Sequence, residues 1–224
     1  MYNTYQPPTR LSVFPPVIKN LLILNGLFFM ASLVPTTREF LIDWLALWPL
    51  GAPDVVRTAF GVARVPDFWP WQLITYSFLH AGFGHLFFNM FALWMFGVQI
   101  ENTWGSRRFA IFYFACVIGA AISQLIVSWG VPVPTLGASG GVFGILLAFG
   151  MMFPNQPIYL YFLFPIKAKW FVIGYGLIEL WAGVSGSQPG VAHFAHLGGM
   201  VFGFLLIQYW RGKLPLRPER TMRW

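Results

Sequence analysis

The chain has 224 residues, 57% of them hydrophobic and only 9% charged, against roughly 25% charged residues in a soluble domain, so a water-soluble globule is excluded and an integral membrane protein implied. The formal net charge is +7, but the basic residues stand at the ends of apolar runs and form no patch; they read as membrane-orientation signals, and no nucleic-acid partner is expected. The single cysteine, Cys116, lies in an apolar stretch, which excludes disulfide frameworks and cysteine metal clusters and makes it a packing residue.

In chain order, residues 1–16 are polar and proline-bearing; they lack the apolar core and small-residue cleavage site of a signal peptide and are read as a short cytoplasmic N-terminus. Apolar runs of near-spanning length follow at about 17–35, 83–100, 107–129, 137–153, 168–184 and 192–210. They predict an all-α polytopic membrane protein, with a six-helix membrane domain over 17–210 and a basic cytoplasmic tail over 211–224. The one long connection, 36–82, carries Trp44, Trp48, Trp69 and Trp71 among prolines and charges, and tryptophan favours the headgroup level, so this outer loop is expected in the interface.

Six crossings put both termini on one side. Assigning that side as cytoplasmic collects Arg10, Lys19, Arg107, Arg108, Lys167, Lys169, Arg211, Lys213, Arg217, Arg220 and Arg223, which is 11 of the 14 basic residues. Only Arg38, Arg57 and Arg64 fall outside, all in the long loop. The positive-inside rule therefore predicts cytoplasmic termini, and a bacterial inner (plasma) membrane is the expected location.

The fourth segment is short. A helix from Ser139 to Phe153 is about 22 Å long at 1.5 Å per residue, against a hydrocarbon core of about 30 Å. Val131-Pro132-Val133-Pro134 cannot continue a helix, so an irregular loop is expected to enter from the outer side and deliver Ser139 below the surface. Irregular backbone at that depth is tolerated only beside protein or a water-filled cavity.

Polar residues inside apolar segments mark a functional site. Ser139 opens the fourth segment, and His196 lies about one turn into the sixth, near the same outer end. Gly140 and Gly144 on one segment, and Gly199 and Gly203 on the other, form small-xxx-small faces that let helix backbones approach closely. Near the start of the second segment, His85 and Asn89 are four residues apart and share a helix face; with the Ser139 amide they can donate to an oxyanion. His80 falls on another face and is read as a structural hydrogen-bonding residue. His193, one turn before His196, is read as a cavity-lining polar residue. Glu179 is the only acidic residue within a segment; it is expected at the mouth between segments two and five or as a structural carboxyl, and no aspartate occupies a triad-like position. A metal enzyme or transporter using His80, His85, His193 and His196 is the competing chemistry, but there is no HExxH and no clustered carboxylate; neither metal nor cofactor is expected.

Gly137-x-Ser139-Gly140, His80-Ala81-x-x-x-His85-x-x-x-Asn89, Ala195-His196-x-x-Gly199-x-x-x-Gly203 and Glu101-x-x-x-Gly105 resemble the rhomboid intramembrane serine proteases over roughly residues 70 to 205. The resemblance implies a six-helix rhomboid bundle with a short serine-bearing fourth helix. It also implies a Ser139/His196 dyad and an oxyanion hole helped by His85 and Asn89. Its partners would be the lipid bilayer and single-span transmembrane substrates with a small residue before the cut, admitted sideways between segments two and five past a packed gate of Phe87, Phe91, Trp94, Leu177 and Trp181. Two departures stand out: Trp71-Gln72 replaces a Trp-Arg pair in the first loop, and Phe143 replaces a tyrosine that stacks on the histidine. Relatives that bind transmembrane clients without cleaving them have lost the serine or the histidine; this chain keeps both.

Overall fold

A computed structural model describes residues 12–58, 61–160, 163–188, 190–216, 218 and 221–222. Arg10, Arg217, Arg220 and Arg223 of the orientation argument lie outside the described residues. The protein is mostly helical. Six helices of fourteen or more residues coincide with the six apolar segments: α1 (Pro16–Ala31), α4 (Phe83–Trp104), α5 (Ser106–Val127), α6 (Ser139–Met152), α7 (Ala168–Ser185) and α8 (His193–Trp210). Among the described residues, α4 and α5 have both the length and the apolar character to cross a bilayer, while α1 and α6 are apolar but shorter.

α6, 14 residues long, is the central helix; α4, α5, α7 and α8 all pack on it. The glycines make this possible. A methyl on Gly199 would run into the Gly140 backbone, one on Gly144 into Cys116, and one on Gly203 would lie 3.0 Å from Phe112. A methyl on Gly140 would collide with Ala120 of α5. The small faces expected between α6 and α8 thus serve a three-helix contact that includes α5.

Two expectations are corrected. The bundle is not wholly helical: a hairpin of β1 (Val55–Thr58) and β2 (Gly61–Arg64) lies in the long connection, and a second of β3 (Pro157–Leu160) and β4 (Phe164–Lys167) joins α6 to α7. The first apolar run also stops short of residue 35. Pro35 begins a separate helix, α2 (Pro35–Leu45), since proline suits the first turn of a helix but not its interior.

The long connection is built, with α2, the first hairpin, the short α3 (Gln72–Thr75) and a 3₁₀ turn at Tyr76–Phe78. Trp44, Trp69 and Trp71 are exposed, but Trp48 is buried and its indole N–H donates to the Ile42 carbonyl at 3.0 Å. Gln72 is fully buried: its Oε1 accepts from the Trp48 amide at 3.2 Å, and its Nε2 donates to the Asp67 carbonyl at 3.2 Å. A neutral amide thus anchors the loop from within. The loop is tied in turn to the chain before Ser139, because Leu47 and Thr135 exchange backbone hydrogen bonds of 2.9 Å and the Gly137 amide donates to the Tyr76 carbonyl at 3.0 Å.

At the other end of the bundle, Glu101 is 2% exposed. Its two oxygens accept from the Val17 and Ile18 amides, each at 2.9 Å, and from the Ser106 hydroxyl at 2.7 Å. These are first-turn amides of α1, which no intrahelical carbonyl can satisfy, so one carboxylate fastens α1 to the α4–α5 corner. Gly105, between α4 and α5, has φ +80°, a value glycine adopts without penalty.

Candidate active site

The polar residues gather where the first turns of α4, α6 and α8 meet. Val131 to Pro134 stop the preceding chain from being helical, Gly137 takes φ +131°, and Ser139 is delivered as the first residue of α6. A side chain on Gly137 would come within 2.8 Å of the His85 ring, so the absence of one lets that imidazole approach the loop carrying the serine.

Ser139 Oγ and His196 Nε2 are 2.8 Å apart across 57 positions of sequence. His196 Nδ1 lies 2.8 Å from Glu179 Oε2, and His193 Nδ1 lies 2.7 Å from the same oxygen. A carboxylate oxygen accepts and cannot donate, so both imidazoles turn an Nδ1–H toward it. His196 Nε2 is then left with the lone pair that accepts from the Ser139 hydroxyl. Phe143 lies parallel to the His196 ring, centroids 4.2 Å apart and planes within 5°; the phenyl ring thus supplies the stacking face.

Glu179 therefore does not line a mouth between α4 and α7. It is 7% exposed and faces α8. Sequence reasoning singled it out as an ionisable residue in an apolar segment, the one signal that pointed to it, but could not say which neighbours it met. His193 is drawn to the same carboxylate; its Nε2 is buried and has no hydrogen-bond partner among the described residues. One potential ligand atom from each of Glu179, His193 and His196 lies within 4.8 Å of the other two. A cation held through Oε2 and the two Nδ1 atoms would displace the hydrogen bonds between them.

His85 and Asn89 line a cavity of about 990 Å³ together with Ser139, Phe143, Tyr175 and His196. One Asn89 amide hydrogen is used within the helix, donating to the His85 carbonyl at 2.8 Å; the other is available. His80 is buried, and neither of its ring nitrogens meets a hydrogen-bond partner among the described residues. It packs edge-on against His85, centroids 5.0 Å apart.

The five residues expected to form a packed gate are not brought together. Phe87 stacks on Phe91 of its own helix at 6.0 Å, while Leu177 and Trp181 on α7 are 62% and 66% exposed. The Trp94 indole donates to the Val13 carbonyl at 3.2 Å, toward the start of α1. Of the five, only Phe91 lines the cavity, which extends between α4 and α7 where the expected packing would have been.

A helical bundle that sets Ser139 and His196 in hydrogen-bond contact beside a cavity carries the nucleophile-and-base pairing that Ser-His hydrolases use. The rhomboid domain family model matches residues 68–212, and the chain belongs to the rhomboid family, generally intramembrane serine proteases. It is 36% identical over 135 residues to the rhomboid protease GluP of Bacillus subtilis, which covers 60% of this chain and 25% of that protein. It is 34% identical over 137 residues to RHOMBOID-like protein 6, mitochondrial, of Arabidopsis thaliana, and 33% identical over 145 residues to Rhomboid protein 1, mitochondrial, of Saccharomyces cerevisiae. These matches cover 61% and 60% of this chain and 42% and 40% of the two relatives. The chain thus spans between a quarter and about two fifths of the relatives it matches.

Proposed function

We propose that this protein is an intramembrane serine endopeptidase that cleaves transmembrane proteins near the outer boundary of the bilayer. The observation that carries this reading is the 2.8 Å contact between Ser139 Oγ and His196 Nε2 on the wall of a cavity. All six long helices cross the membrane in this reading, and α6, about 21 Å long at 1.5 Å per residue, is too short to reach both surfaces. Its serine end therefore stops within the bilayer, where water arrives through the cavity. The excess of Lys and Arg at the opposite helix ends puts both termini in the cytoplasm, with the plasma membrane as the location.

In the reaction, Ser139 Oγ attacks the scissile carbonyl carbon while its proton passes to His196 Nε2. The carbonyl oxygen becomes an oxyanion, met by the Ser139 amide at the start of α6 and by the side chains of His85 and Asn89. First-turn amides carry no intrahelical acceptor, and helix N-termini favour negative charge. As the tetrahedral species collapses, the C–N bond breaks and the Nε2 proton goes to the leaving amine. Water then repeats the sequence on the acyl-enzyme: its proton goes to Nε2, its oxygen to the acyl carbon, and Ser139 leaves as the alcohol.

A single-span substrate reaches Ser139 sideways between α4 and α7, where the cavity extends. The test is cleavage of a transmembrane substrate by the purified protein in bicelles beside Ser139→Ala, with serine-directed fluorophosphonate labelling as a second readout. Cleavage and labelling are both expected to vanish in the variant. Undiminished cleavage by Ser139→Ala would sink the reading.

A further inference from the structure

Stacking on Phe143 fixes the plane of the His196 ring and leaves one freedom unresolved. A half-turn about Cβ–Cγ keeps the ring in the same plane but exchanges Nδ1 with Cδ2 and Nε2 with Cε1, so a carbon would face Ser139. Stacking also does not choose which nitrogen carries the proton. An acceptor on the Nδ1 side settles both matters, because it favours the one rotamer and the one tautomer that leave the Nε2 lone pair toward the serine. Glu179 Oε2 sits in that position, 2.8 Å from Nδ1.

The carboxylate is itself held. His193 and His196 are three apart at the start of α8 and share a face, and His193 donates to the same Oε2 at 2.7 Å. Gly183, one turn beyond Glu179 on α7, lets the two helices close on each other: a methyl there would lie 3.2 Å from His193 Cβ and 3.1 Å from the Phe194 ring. We infer that Glu179 is the positioning residue of His196, so that the site is a Ser139–His196–Glu179 triad rather than a dyad, with His193 as the second donor that keeps the shared oxygen in place.

This inference rests on the protease reading above and adds one step to it. When His196 Nε2 takes the serine proton, the ring carries both N–H groups and a positive charge; the Nδ1 proton stays on Nδ1, hydrogen-bonded to Oε2, and the carboxylate charge offsets that of the ring. When Nε2 returns its proton to the leaving amine, the ring is again neutral in the starting tautomer. Glu179 neither gains nor loses a proton, and no metal ion takes part.

The test measures kcat and KM on one transmembrane substrate, and Tm, for the parent, Ser139→Ala, Glu179→Gln, Glu179→Asp and His193→Ala. In Glu179→Gln, kcat is expected to fall by up to about 10⁴-fold, the drop seen when the orienting carboxylate of a serine-protease triad becomes an amide, with KM within about threefold of the parent and Tm little changed. Glu179→Asp, which retains the charge, is expected to recover at least about a tenth of parental kcat, and His193→Ala to lose less than Glu179→Gln. Parental kcat in Glu179→Gln overturns the triad, as does an Asp variant no better than the Gln variant. If Glu179→Gln is not recovered folded, Glu179→Ala with added formate carries the test: kcat rising with formate supports the triad, and no rise overturns it. Loss of parental activity on chelation also overturns it, because a cation would then occupy the Oε2 and Nδ1 atoms. An inactive Ser139→Ala beside a fully active Glu179→Gln refutes the triad alone, whereas an active Ser139→Ala refutes the protease reading beneath it.

Discussion

Among the described residues two glutamates are buried, Glu101 at the α4–α5 corner and Glu179 in α7, and the difference between them lies in their donors. Glu101 uses both oxygens on two backbone amides and a serine hydroxyl. None of these donors titrates near neutral pH, so the carboxylate acts as a fixed clamp on the start of α1. Glu179 offers one oxygen to two imidazoles, the only side chains whose ordinary pKa lies near neutrality. A buried carboxylate surrounded by amides is a fastener; one surrounded by imidazoles is equipped to hold a ring whose charge changes during a reaction.

Substitutions at the Glu179 end are therefore expected to change turnover at nearly constant stability, and those at the Glu101 end to do the reverse. The largest effect belongs to Ser139→Ala, which should lower kcat by about 10⁴-fold or more with an unchanged Tm; a large fall in Tm would mean that the serine is also structural and would blur the contrast. Next is Glu101→Ala. It strands two amides and a hydroxyl at about 1–3 kcal/mol for each buried unsatisfied group, or roughly 4 kcal/mol in all, read as a lower Tm with turnover per folded molecule close to the parent. A loss of specific activity in folded Glu101→Ala would break the comparison.

At the site end, Asn89→Ala and His85→Ala should each slow cleavage about 10²- to 10³-fold while fluorophosphonate labelling of Ser139 persists, which separates oxyanion donors from the nucleophile. Parental kcat in either variant removes that residue from the oxyanion site. Gly199→Ala drives a methyl toward the Gly140 backbone; overpacking costs about 1–3 kcal/mol, and because Gly140 follows Ser139, both Tm and kcat should fall, which makes it the one position where the two ends of the comparison mix. The smallest effect is expected of Phe143→Leu, which gives up ring stacking on His196 worth about 0.5–1.5 kcal/mol. A several-fold fall in kcat is expected there. A loss as large as that of Glu179→Gln would show that stacking, and not the carboxylate, orients the ring.

The long helices and the approach of Ser139 to His196 were legible in the sequence. Runs of apolar residues put the long helices within a few residues of where they lie, because helix formation is local and an apolar environment demands that backbone groups be satisfied within each segment. A serine and a histidine in such runs stand out for the same reason. The two hairpins, the separate α2 and the internal Gln72 anchor were not legible. Each hairpin strand is only four residues long, too short for a clear period-two pattern; α2 follows α1 after a short break inside one apolar run; and the Gln72 anchor is a buried amide whose partners have no sequence signature.

By itself, then, the sequence determined that this is a helical membrane protein resembling the rhomboid family and that Ser139, His196, His85 and Asn89 belong near one end of their helices, since these follow from hydropathy, spacing and motif order. Only the tertiary structure decided which carboxylate faces which donors. Glu179 and Glu101 are both single acidic residues in or beside apolar helices, and nothing local says which donors each one meets. Their difference arises from the packing of α7 on α8 through Gly183 and of α1 on the α4–α5 corner, because a hydrogen bond depends on distances of a few ångströms between residues that are remote in the chain.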